Sequence, residues 1–106
     1  MDIKTAWQNV ERAAFDMESG QGDYQIKVAT LYAAIDMLFD YPVKEIVEQV
    51  EASYLPTRPT MSWLVYEGSR IKGIDHDRAQ ALKEFWNKNN PEDEKIMDGP
   101  KGVDLV

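Results

Sequence analysis

Apolar residues recur along this chain at steps of three and four, the spacing that lines one side of an α-helix. Ile3, Trp7, Val10, Ala14 and Met17 form the first such stripe, with Ala6 and Ala13 beside it. Asp2 precedes the stripe, and its carboxylate can accept from the free N–H groups of a first turn. The pattern predicts a helix over about 2–18. Ser19-Gly20-Gln21-Gly22 then ends it, because glycine tolerates the left-handed backbone that closes a helix.

Asp23 is the expected cap of a second helix, over about 23–39, with Tyr24, Val28, Leu31, Ile35 and Leu38 as its main stripe. This helix carries a second apolar stripe, Ile26, Ala29, Ala33 and Met37, and only Gln25 and Asp36 mark a polar strip. A helix apolar on most sides is central in its fold or sits at a subunit contact. The second stripe is therefore a candidate self-association surface if the remaining helices leave it uncovered.

Pro42 suits the start of a third helix, over about 42–55, whose stripe is Val43, Ile46, Val47, Val50 and Tyr54. Pro56 and Pro59 close it with a stiff connector. The segment 60–74 reads two ways. Met61, Leu64, Val65 and Gly68 fit a helix over 60–72 capped by Thr60. Trp63-Leu64-Val65-Tyr66 before Glu67-Gly68-Ser69-Arg70 also fits a hairpin at 62–74. A lone two-stranded hairpin is marginally stable, which favours the helix. The last helix is expected over 75–88, with Asp75 as cap, Ile74 folded back on Ala79, and Ala79, Leu82, Phe85 and Trp86 inward.

These elements predict an all-α fold: a compact bundle of four or five helices over residues 1–90. A mobile acidic tail follows over 91–106, in which Ile96, Met97, Val103 and Leu105 are the residues able to dock. The hairpin at 62–74 would make the fold α+β instead. The short turn between the first two helices predicts that they pack antiparallel.

Composition changes this picture by exclusion. The 106 residues hold 12 Lys+Arg and 19 Asp+Glu, a formal net charge of −7, which disfavours bare nucleic acid and anionic membranes. With no cysteine and one histidine, thiolate chemistry and any site needing two histidines are excluded. No apolar run approaches the ~20 residues of a membrane span, and no signal segment opens the chain. A cytoplasmic protein without cofactor or metal is the expectation.

The candidates for chemistry are few. His76 lies between Asp75 and Asp77, yet sequence neighbours at a helix start point apart, and no nucleophile accompanies them. Asp36 and Asp40 share a helix face, as paired catalytic carboxylates could, but Asp40 also suits the turn before Pro42. Gly20-Gln21-Gly22 joins two helices and lacks a following Lys-Ser/Thr, so it does not read as a phosphate loop. Asp75-His76-Asp77 lacks the glycine of a calcium loop, and Glu92-Asp93-Glu94 offers only weak attraction for divalent ions.

Surface features are more informative. Glu45, Glu48 and Glu51 form an acidic ridge opposite the third helix's apolar stripe, suited to a basic partner. Phe15 falls among Lys4, Gln8, Glu11 and Arg12, where an exposed aromatic can anchor an interface. Together they point to a non-enzymatic protein-binding module — an inhibitor, adaptor or assembly subunit — whose partner is a protein with a basic surface. Ile26, Ala29, Ala33 and Met37 add a route to a homodimer or larger homo-oligomer. The alternative is a small DNA-binding regulator using 58–88, through Arg58, Arg70, Lys72 and Arg78, with Lys83, Lys88, Trp63 and Tyr66 nearby. An enzyme is the third and weakest reading.

Overall fold

A computed structural model describes residues 1–53, 59–91 and 95–96. Among them the chain is all-helical: α1 (Ile3–Glu18), α2 (Tyr24–Leu38), α3 (Val43–Ala52), α4 (Met61–Ser69) and α5 (Ile74–Lys88). The caps explain the starts. Asp2 accepts from the Thr5 N–H at 2.8 Å, and that bond holds its carboxyl below the usual range. Asp23 accepts from Gln25 at 2.8 Å and Ile26 at 3.3 Å, and Thr60 Oγ1 accepts from Trp63 at 3.2 Å. Thr60 therefore opens a helix and the hairpin does not form. Pro42 stands one place outside α3, its carbonyl accepting from the Ile46 N–H at 3.1 Å.

The helices pack as two close pairs, α1 with α2 and α4 with α5, while α3 touches α1, α4 and α5. Trp7, Val10, Ile35, Leu38, Ile46, Leu64 and Leu82 are fully buried where these faces meet. Gly68 is essential to this closeness. It is helical and buried, and a Cβ there would lie 2.7 Å from the Phe39 ring and 3.1 Å from the Ala79 Cβ. The glycine that resembles a hairpin turn in sequence is instead a packing residue between α2's end, α4 and α5.

Of the two alternatives open to the second stripe of α2, the fold leaves it uncovered: Leu31, Ile35 and Leu38 face inward, whereas Ile26 and Met37 remain 66% and 47% exposed. Three expectations are corrected. Tyr24, the first residue of α2, is 66% exposed and outside the buried stripe. α5 begins one residue before its expected cap: Gly73, at φ 81°, takes the N-cap, so Asp75 lies within the first turn and is buried. That shift leaves Ile74 77% exposed, without the expected fold-back onto Ala79.

One part of the expected tail is docked. Ile96 is buried against the core, and the Asn87 side-chain amide grips its backbone from both sides. Its Oδ1 accepts from the Ile96 N–H at 2.7 Å and its Nδ2 donates to the Ile96 carbonyl at 3.1 Å. Tyr54, Pro56, Arg58, Glu92, Asp93, Glu94, Met97, Val103 and Leu105, named from the sequence, lie outside the described residues.

Candidate interaction surface

Phe15 projects from α1 where the stripe geometry puts it, away from the core, and is 73% exposed. It stands on the rim of a groove of about 1090 Å³ between α1 and the start of α4. Leu31 and Met17 contribute apolar surface, half-buried Trp63 forms a wall, and Glu11, Arg12, Glu18 and Glu67 line the sides. Three carboxylates and one guanidinium give this lining a negative balance. Burial pushes the Glu67 carboxyl up, opposed by the Arg70 guanidinium 3.6 Å away.

Pro59 and Thr60 form one wall of this groove and also a wall of a second, of about 550 Å³, which Glu51, Val50 and Trp86 line on the other side. Phe15 and the acidic ridge, unrelated in sequence, are thereby connected across the Pro59–Thr60 shoulder. Glu45, Glu48 and Glu51 are all exposed along α3. The helical wheel identifies Phe15 and the ridge. It cannot identify Trp63 as Phe15's neighbour across a groove, since that depends on where α4 lands.

Of the basic set, Arg58 lies outside the described residues, and two of the others are engaged within the fold. Arg70 is paired with Glu67 and lies over the Tyr66 ring, 5.6 Å from its centroid. Lys72 is exposed. Arg78 is half-buried and caps the end of α2: its Nε donates to the Phe39 carbonyl at 3.0 Å, and its guanidinium also donates to the Tyr41 carbonyl. These carbonyls have no intrahelical donor, and a cation beside them complements the helix dipole. Arg78 is thus a joint between α5 and α2 rather than an open phosphate contact.

His76 and the acids also serve as joints. His76 Nδ1 donates to the Ser69 carbonyl at 2.8 Å, tying the first turn of α5 to the last of α4. Asp75 reaches across to α2 and shares a hydrogen bond with Asp36, with Asp40 adding negative field. Burial first, and these two neighbours second, push its carboxyl up to about 6. The sequence pairs Asp36 with Asp40; the fold instead brings Asp75 onto Asp36. Among the described residues, no group of three or more His, Asp or Glu is arranged to hold a metal ion, and no helix is long and apolar enough to cross a membrane.

No protein-family model, no curated protein and no solved structure matches this chain, so geometry alone guides the functional reading.

Proposed function

We propose that the protein is a non-enzymatic interaction module that docks on another protein through the α1–α4 groove and the adjoining acidic ridge of α3. The observation that carries this reading is Phe15, an aromatic side chain 73% exposed and lining the groove of about 1090 Å³. A lone exposed apolar residue needs no explanation, but one at the mouth of a groove walled by a second aromatic has the form of an interface anchor. The partner this surface suits is basic and presents an apolar side chain. Such a residue would enter beside Phe15 and Trp63, while Lys or Arg side chains would meet Glu18 and the Glu45–Glu48–Glu51 ridge. Charge of one sign along the ridge speeds encounter and sets register, and the buried aromatic contact supplies most of the affinity.

The test is affinity capture from the native cell with the intact chain, followed by titration of the recovered protein. Phe15→Ser is expected to weaken binding by roughly 30-fold, as loss of a central anchor does. Changing Glu45, Glu48 and Glu51 together to Gln is expected to slow association and flatten its salt dependence. A partner that binds both variants as tightly as the wild type at low salt contradicts the reading.

A further inference from the structure

The walls of the α1–α4 groove are the sides of two helices, with buried Leu31 of α2 between them. Glu11, Phe15 and Glu18 follow at steps of four and three along α1, so one wall reads acid, aromatic, acid over about 10 Å. Trp63 and Glu67 are one turn apart on α4, so the facing wall reads aromatic, then acid. Among the described residues, Arg12 is the one cation in this lining. Glu18 is exposed, while Glu11 and Glu67 are half-buried. Glu11 already has an interaction within the chain, and Glu67 faces Arg70 at 3.6 Å. A carboxylate offers about four acceptor sites, so one partner does not saturate it.

We propose that the occupant of this groove is a single basic, amphipathic helix of about two turns supplied by the partner, an inference that rests on the docking reading above. Backbone chemistry disfavours an extended segment. A strand lying in the groove would bury N–H and C=O groups, and buried backbone groups need partners. Helix sides do not supply them, because their own N–H and C=O groups are bonded along the helix. Thr60 Oγ1, at the start of the α4 wall, already accepts from the Trp63 N–H, and no strand edge is present among the described residues. A helix brings its backbone bonds with it and needs only side-chain contacts. Size agrees. Two turns of helix, about 11 Å long and about 11 Å across with side chains, fill roughly 1,000 Å³. The groove holds about 1090 Å³.

Charge complementarity sets the register. An apolar side chain between Phe15 and Trp63 forms the centre of the occupant. Glu11 and Glu18 lie about one turn to either side of Phe15, so Lys or Arg one turn before and one turn after that apolar residue meets them. The inward face of the occupant therefore reads basic, apolar, basic at steps of three or four. An acidic helix would face like charge in the groove and across a molecule of net charge −7. Glu51, over the Pro59–Thr60 shoulder, extends the preference for basic residues past the end of the groove.

Selection of phage-displayed random peptides of about 16 residues, long enough for the helix and its flanks, on the immobilised intact chain tests this. Enriched peptides are expected to carry Lys or Arg three or four positions before and after an aromatic residue or leucine, and to gain helical dichroism when bound. Proline at the centre of such a peptide should weaken binding by ~30-fold or more, because it breaks the helix and leaves the charges in place. Phe15→Ser should weaken binding by roughly 30-fold, as for a whole partner. Glu18→Lys should weaken it by about 5-fold at low salt and less at high salt. No enrichment, enrichment indifferent to Phe15→Ser, apolar residues at alternate positions, peptides rich in Asp or Glu, or binding that tolerates the proline would each overturn the proposal. The docking reading fails separately, through a captured partner indifferent to Phe15→Ser and to the ridge changes. A captured partner that keeps those dependences while its bound segment tolerates proline removes the helix alone.

Discussion

α2 and α3 bury similar faces and expose opposite ones. Each sends a short aliphatic stripe inward: Leu31, Ile35 and Leu38 from α2, Ile46, Val47 and Val50 from α3. α3 turns Glu45, Glu48 and Glu51 to solvent, whereas α2 turns Ile26, Ala29, Ala33 and Met37 outward. The inner faces hold the fold together and are interchangeable in kind. The outer faces differ because a folded core leaves them free to differ, and this freedom is where an interaction module acquires its specificity. Hydrophobicity alone does not decide the place of α2, since a helix apolar all round can be buried or can leave one face exposed.

The largest effects should come from the inner faces. Ile35→Ala and Ile46→Ala each remove a side chain with no exposed surface and should cost about 2–5 kcal/mol in urea unfolding. Similar costs for outward Ile26→Ser would erase the distinction between the faces. Gly68→Ala comes next. An alanine favours an isolated helix by ~1 kcal/mol, yet the 2.7 Å approach to the buried Phe39 ring should make the change destabilising by about 1–3 kcal/mol. A neutral or stabilising result would show that α4 can back away from Phe39.

The joint between α2 and α5 predicts a pH dependence. The Asp75 carboxyl, ordinarily near 3.8, is raised to about 6 in the fold, so the folded protein holds its proton more tightly than the unfolded chain. Its contribution to stability is complete below the lower value and is lost as pH rises through the upper one. Asp75→Asn should remove this dependence between about pH 4 and pH 7 and stabilise the neutral-pH protein by on the order of 1–2 kcal/mol. Unfolding curves for the two proteins that stay parallel across this range would contradict the raised Asp75 carboxyl, whose first cause is burial and whose second is Asp36. The smallest effects belong to the outer faces: Ile26→Ser, and Gln at all three ridge positions, should each change monomer stability by less than about 0.5 kcal/mol.

The sequence makes the fold legible where local rules decide. Asp2, Asp23 and Thr60 are caps read from residue type, and the α1, α2 and α3 stripes follow from spacing. It fails where distant contacts decide. Gly68 fits the helix stripe and a hairpin turn alike, and only the Phe39 ring pressing on it reveals why a glycine is needed there. Asp75 looks like a cap, and the start of α5 at Gly73 carries it inward to Asp36 instead. Arg78 looks like a surface cation until the carbonyl ends of α2 arrive beside it. At the candidate surface, Phe15 and the ridge can be read from single helices, while the groove joining them exists only once α4 is in place.

Hydroxyl-radical footprinting of the chain, free and bound to its captured partner, tests the docking surface most directly, because aromatic side chains report their own exposure to water. The account predicts that Phe15 and Trp63 lose most of their reactivity on binding while Tyr24, beyond the groove, keeps its own. Phe15 labelled as fast in the complex as in the free chain would contradict it.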